Sequence, residues 1–287
     1  MDTTTDIKPL PPPWKLRGTI YTFPFWTNKS EIAAANDAGL TYPPLEAKSA
    51  FASASAGKHL GGMSMIQIIR YSESPAGPYD ELILSPGSFE YVVEEEDGKR
   101  VKRRHLRITR IYVSQNLTCW NGRKNWNIPK HLASFDFKED KNGTTHIQVF
   151  PHDTTGDVSE AAPSTKPFFR ATFKPVPLVP SFPASLGLLK YAGFDLTIVH
   201  PPLPEGNGSQ GELAGTDRWC AVDPGQSSRR TSIGWFDMRQ ADGGGDATGG
   251  FENFWPGLKR WHLGVRMDDA DIDFPDGRYW EAPKSAL

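Results

Sequence analysis

Between Asn121 and Ala133 the chain reads NGRKNWNIPKHLA, and one lysine, Lys130, follows Pro129 among Trp126, Ile128, Leu132 and Phe135. An apolar setting is what turns a lysine from a surface charge into a nucleophile. At the ordinary pKa of about 10.4, roughly one amine in 2,500 is neutral at pH 7, too few to attack a carbonyl readily. Desolvation or a nearby cation that brings the pKa to about 7–8 raises the neutral fraction several-hundred-fold, at a cost of about 3–5 kcal/mol. The plain alternative is a surface lysine snorkelling from a short helical turn. Pro129 suits the first turn of a helix with Asn127 as its N-cap, and the positive end of that helix would depress the amine further.

Other side chains offer chemistry to such an amine. Glu73, at the exit of an apolar run, is either a general acid/base or a solvated loop carboxylate. Arg123 pairs either with a substrate carboxylate or with a carboxylate on a sheet edge. His131 either tunes its neighbour or is a satisfied core histidine; with an ordinary pKa of about 6.5 it is mostly neutral at pH 7 and repels a cation weakly. The seven histidines show no H-x-x-x-H spacing, and Cys119 and Cys220 have no C-x-x-C partner. Two buried free thiols, no metal and no cofactor are the expectation. A G-x-S-x-G elbow is absent, and the glycines of Asp242–Gly250 form neither G-x-G-x-x-G nor a Walker sequence.

These residues need elements to hold them. With 25 prolines and 27 glycines punctuating β-branched and aromatic runs, the chain reads as many short strands joined by turns. Residues 1–13 are expected to be a loosely attached, proline-rich lead, and residues 14–287 one β-rich domain. Strands are expected at Met63–Tyr71, Glu81–Leu84, Phe89–Glu94, Val101–Val113, Ser134–Lys138, Thr145–Phe150, Phe168–Lys174, Phe194–His200, Thr231–Arg239 and Trp261–Met267. Asp97-Gly98 and Asn142-Gly143 mark hairpins. Across the first, Glu94 to Asp97 would face Lys99 to Arg104, which accounts for the basic run by cross-strand pairing. Helical turns are expected at Glu31–Ala38 with Ser30 as cap, at Ala47–Ala56 and at Ala184–Tyr191.

A net charge of −2 gives no field to draw the chain to nucleic acid or to an anionic membrane. The opening MDTTTDIKPLPPP has neither a basic start nor an apolar stretch, and no later run has the length of a transmembrane helix. A soluble, cytoplasmic protein is the expectation. Strong salt-dependent binding of DNA or RNA would be needed to revive a nucleic-acid role for the basic strand Lys99–Arg110.

Two segments resemble the acetoacetate decarboxylase-like superfamily. Gly122-Arg123, followed by Pro129-Lys130 and Leu132, is similar to the family's Gly-Arg, spacer, Pro and Schiff-base lysine. Tyr71-Ser72-Glu73-Ser74 is similar to its Tyr-x-Glu-Ser loop, whose glutamate assists proton handling. The likeness spans Trp14 to about Tyr191. It implies an antiparallel β-cone or closed barrel with a few short helices and a central apolar cavity. It also implies a nucleophilic Lys130, a catalytic Glu73, substrate contacts from Arg123, Tyr71, His131, Trp126 and Arg17, and a homo-oligomer. His131 stands where the family has a second lysine, and Lys124 where the decarboxylase has a glutamate.

The expected activity is that of a Schiff-base lyase on a β-keto acid or polyketide-like carbonyl compound, decarboxylating through a Lys130 iminium and enamine. The same intermediate serves aldol, dehydration and cyclisation chemistry. A cavity that only carries an apolar small molecule, with Lys130 as a polar anchor, is the non-catalytic alternative.

Overall fold

The computed structural model describes residues 7–152, 163–238 and 255–282. The apolar and polar residues that alternate from Trp14 onward form β1 (Trp14–Thr27). Asn28 accepts hydrogen bonds from Ser30 N and Glu31 N while Glu31 reaches back to the Asn28 amide, and this capping box starts α1 (Lys29–Asp37). The cap is thus Asn28 where Ser30 was expected. Then come α2 (Pro44–Ala47), two 3₁₀ turns at Ala50–Ala52 and Ala54–Ala56, and the long β2 (Lys58–Glu73). The chain continues through β3 (Tyr79–Ser85), β4 (Ser88–Glu94), β5 (Arg100–Leu106), β6 (Arg110–Val113), α3 (Asn116–Trp126), β7 (Lys130–Glu139), β8 (Thr145–Pro151) and β9 (Phe169–Pro175). It ends with β10 (Phe182–Ser185), a 3₁₀ segment at Leu186–Ala192, β11 (Ile198–His200), β12 (Trp219–Val222), β13 (Gly225–Asp237), β14 (Trp261–Phe274) and β15 (Arg278–Trp280). The glycine-rich run Asp242–Gly250 lies outside the described residues.

Nine strands close on themselves in the order β1, β14, β13, β9, β8, β7, β6, β3, β2 and back to β1. The β1–β2 ladder that closes the ring is long, running from Arg17↔Glu73 to Thr27↔Gly62. The neighbours in the ring are antiparallel except β6 and β7, which run parallel and are therefore joined by a crossover, α3. This is the mainly β architecture that the turn-rich sequence implied, closed into the barrel that the family resemblance implied. Side chains from strands that are not neighbours meet inside: Tyr21 of β1 lies 5.7 Å from Phe173 of β9, and Phe23 lies 4.9 Å from Phe236 of β13. With Ile66, Ile68, Leu82, Leu84, Ile147 and Val149 they fill the lumen, so the barrel itself is a packed core.

The opposite parity of β1, β2, β3 and β6 faces outward, yet it too is apolar: Leu16, Ile20, Ile69, Tyr71, Tyr79, Ile83 and Ile111 are buried there. A second group of strands, β4, β5, β11, β12 and β15, together with α3, covers them. The expected single strand Val101–Val113 is in fact two. It leaves β5 in the covering sheet, turns at Arg107–Thr109 and enters the barrel as β6. The charge pairing expected across the Asp97-Gly98 turn is present, as Arg103–Glu95 at 2.6 Å and Arg100–Glu94 at 3.8 Å, and Lys102 pairs further along with Glu90 at 2.8 Å. The Asn142-Gly143 turn joins β7 to β8, with Gly143 at φ 80°.

In the lead, the Leu10 amide donates to Asn121 Oδ1 at 2.6 Å, Asn121 Nδ2 donates to Lys8 O, and Asn125 Nδ2 to Leu10 O. Residues 8–10 are therefore tied to α3. Among the described residues no helix is long and apolar enough to cross a membrane.

Candidate active site

The crossover from β6 to β7 decides where Lys130 sits. Helix α3 ends at Asn127, which takes the left-handed conformation at φ 53°. Asparagine tolerates this better than most residues, because its short polar side chain bonds locally. Here Nδ2 donates to Pro201 O and Arg218 O. The chain turns back, Lys130 N donates to Ile128 O at 2.7 Å, and Lys130 opens β7 opposite Ile111. The expected helix start at Asn127-Ile128-Pro129 is thus a helix end followed by a strand.

Strand alternation sends Lys130 to the outer face of the wall, beneath α3. Its side chain runs directly under Gly122, where a Cβ would lie 2.6 Å from Lys130 Cδ and Cε. The amine is buried, 4 % exposed as a residue, and donates to Glu81 Oε2 at 2.8 Å and to Thr118 Oγ1 at 3.2 Å. It also lies 5.4 Å from the centroid of the Tyr79 ring. Tyr71 donates to the other oxygen of Glu81 at 2.9 Å and stacks on Tyr79, centroids 4.3 Å apart. Burial, and then the charge of Glu81, push the Tyr71 and Tyr79 phenols well above the ordinary tyrosine value, so both stay neutral donors.

Glu81, Thr118 and Tyr79 surround the amine and were missed by sequence reasoning, Glu81 being the one able to exchange a proton with it. The signal for Glu81 was nonetheless present: in β3 the parity that carries Tyr79 and Ile83 carries a carboxylate between them. A lone acid in an apolar row is either paired or costly. Glu73, given the proton-handling role, is exposed at the end of β2 and is the register partner of Arg17, which is also exposed. Neither reaches the buried amine, so both assignments are corrected.

Arg123 and His131 are corrected as substrate ligands too. Arg123 is fully buried on α3; Nη1 donates to Glu46 Oε1 at 2.9 Å and to Lys130 O at 3.1 Å, Nε to Ala214 O and Nη2 to Pro204 O. His131 points to the opposite face from Lys130, where its Nε2 lies 2.7 Å from Glu46 Oε2. Burial by itself would raise the Glu46 carboxyl, but the charges of His131 and Arg123 and the hydrogen bonds from both outweigh it and hold it at about 2. This cluster clamps the backbone behind the lysine. Trp126 does line the space beside the amine, with its Nε1 donating to Pro275 O and its ring edge-on to Trp14 at 5.3 Å.

That space is small, about 10 Å³, enough for about one water. It adjoins a cavity of about 400 Å³, and Tyr71, Ile83, Ile108 and Phe274 line both. The apolar cavity expected in the middle of the fold thus lies between the barrel wall and the covering elements, while the lumen is filled. Cys119 and Cys220 are buried free thiols, and Cys119 Sγ donates to Lys130 O. Among the described residues no group of three or more His, Cys, Asp and Glu side chains is placed to hold a metal ion.

No family model matches the chain, and no curated protein does. Solved structures do. Acetoacetate decarboxylase from Legionella pneumophila subsp. pneumophila str. Philadelphia 1 superposes with a TM-score of 0.53 at 12% identity, over 94% of this chain and 88% of that one. An acetoacetate decarboxylase-like enzyme from Sphingomonas wittichii RW1 gives 0.54 at 11%, over 98% of this chain and 100% of that one. The enduracididine biosynthesis enzyme MppR, complexed with the condensation product of pyruvate and imidazole 4-carboxaldehyde, gives 0.53 at 15%, over 94% and 90%. The fold is that of the acetoacetate decarboxylase-like enzymes.

Proposed function

We propose that this protein is a Schiff-base enzyme in which Lys130 attacks the ketone of a β-keto acid or related carbonyl substrate. The supporting observation is the placement of one buried amine 2.8 Å from one buried carboxylate, at the end of an apolar cavity. Before attack, one proton passes from Nζ to Glu81 Oε2 across that 2.8 Å contact and leaves the amine neutral. The neutral amine adds to the ketone carbon, and the oxygen takes up the proton that the nitrogen sheds. Glu81, now a carboxylic acid, protonates the resulting hydroxyl, water leaves, and an iminium remains. The bond to the substrate carboxylate then breaks, its electron pair passes to the iminium nitrogen, and carbon dioxide departs. Protonation of the enamine carbon by water, and hydrolysis, release the ketone and return Lys130.

A second reading keeps the same iminium but removes a proton in place of carbon dioxide, with Glu81 as base, so that the enamine attacks an aldehyde. The condensation product held by MppR favours keeping it. Borohydride reduction in the presence of 3-oxo acids, followed by peptide mapping, tests the shared step. The expected result is a reduced adduct on Lys130, lost in Lys130→Met, and evolution of carbon dioxide tells decarboxylation from condensation. Binding of keto acids with no reducible adduct would leave the protein a carrier and overturn the proposal.

A further inference from the structure

The cavity beside the lysine has a composition of its own. Apart from the four residues it shares with the amine's chamber, its wall is built from side chains such as Met65, Ile69, Leu196 and Val265, and it opens past Met63, Leu189 and Phe194, all of which are exposed. A four-carbon keto acid held on Lys130 would leave nearly all of it unfilled. At about 30 Å³ for a water-sized group, 400 Å³ has room for roughly a dozen non-hydrogen atoms.

Five polar side chains interrupt this wall; the hydroxyls of Thr22, Ser64 and Ser85 donate to Ile66 O, Thr27 Oγ1 and Arg107 O, and the other two are glutamines. Gln67 of β2 and Gln226 of β13, both buried, exchange hydrogen bonds in both directions, at 2.9 and 3.1 Å. After that exchange each amide still has a second N–H and a second oxygen lone pair. Such capacity is costly inside an apolar wall unless something uses it. Gln67 is four residues before Tyr71 on one strand, so both face the same side, roughly 13 Å apart along β2.

We propose, building on the Lys130 assignment above, that the cavity takes the apolar tail of the keto substrate, roughly a dozen non-hydrogen atoms long, and that Gln67 and Gln226 hold one oxygen function at the tail's far end. The substrate class is then a medium-chain 3-oxo acid bearing a terminal hydroxyl or carbonyl. The amine and Glu81 act on the keto end while the tail lies along β2. Each methylene buried there strengthens binding about fourfold.

The test uses the whole protein and three probes: 3-oxobutanoic acid, 3-oxododecanoic acid and 12-hydroxy-3-oxododecanoic acid. Half-maximal borohydride trapping on Lys130 is expected at a concentration lower by on the order of 100-fold or more for the twelve-carbon acids than for the four-carbon one. The hydroxylated acid is expected to lead. Val265→Trp should move the ratio of long to short toward one, and Leu189→Asp, at the exposed mouth where folding is not at stake, should do the same. Gln67→Leu combined with Gln226→Leu should reverse the order of the two long acids. Trapping of all three acids at equal concentration overturns the proposal while the Schiff-base assignment stands. If no acid is trapped, equilibrium dialysis of 2-undecanone decides: binding that persists in Lys130→Met and is lost in Leu189→Asp supports the cavity alone, and no binding overturns it.

Discussion

A carboxylate 2.8 Å from an amine can take its proton, and one in solvent at a strand end cannot. Glu81→Gln is therefore expected to lower turnover by about 10²–10⁴-fold, whereas Glu73→Gln leaves it at the wild-type rate; steady-state rates on any 3-oxo acid that traps on Lys130 check both. Behind the lysine, Glu46 makes a stability prediction. Its folded value of about 2 lies below the ordinary 4.5, so the contribution is complete above pH 4.5 and is lost as pH falls through about 2. The gap corresponds to about 3 kcal/mol. Urea unfolding between pH 5 and pH 2 should show the wild type losing about that much more than Glu46→Gln. Removing Arg123 instead leaves the buried Glu46 charge with His131 as its remaining charged partner, and Arg123→Met is expected to cost about 3–5 kcal/mol at pH 7.

Among the elements, α3 matters most, because it carries Thr118, Gly122 and Arg123 over the start of β7. Gly122 was legible as half of a Gly-Arg motif, yet nothing in the sequence said what the missing side chain makes room for. The structure gives the reason: the lysine stem occupies the place of a Cβ. Gly122→Ala should fold, since alanine favours a helix by about 1 kcal/mol over glycine. It should nevertheless push Nζ away from Glu81 and reduce borohydride trapping about tenfold or more, read alongside an unchanged far-ultraviolet circular dichroism spectrum. The end of α3 was misread for a physical cause: Asn-x-Pro at a helix start and asparagine at a left-handed helix end use the same residue types. Hairpins at Asp97-Gly98 and Asn142-Gly143 were legible because each is a local decision of a few residues.

For the molecule as a whole, the lumen is a filled core and the proposed site lies in the layer outside it. Phe173 is fully buried in contact with Tyr21 and Phe236, in the lumen, on the opposite face of the wall from the amine. Phe173→Ala is expected to lower global stability by about 3–5 kcal/mol in denaturant titration, with trapping at Lys130 retained in the folded fraction. A change of similar size in the outer layer, Val265→Trp, should instead alter which substrates are accepted. The two faces of one wall thus answer to different measurements.

The sequence by itself determined the mainly β class of fold, the turns and the free thiols, and it singled out Lys130 as the proposed nucleophile, because each follows from alternation, turn residues or local composition within a dozen positions. It could not show which carboxylate faces that lysine. Glu81 and Lys130 are 49 positions apart and meet only because β3, β6 and β7 lie side by side in the wall and their alternation puts both on the same face. The same closure turned Arg123 and His131 to Glu46, sent Arg17 and Glu73 outward, and set a cavity between two layers. Those outcomes depend on register and on which strands become neighbours, which are properties of the assembled barrel and of no single segment.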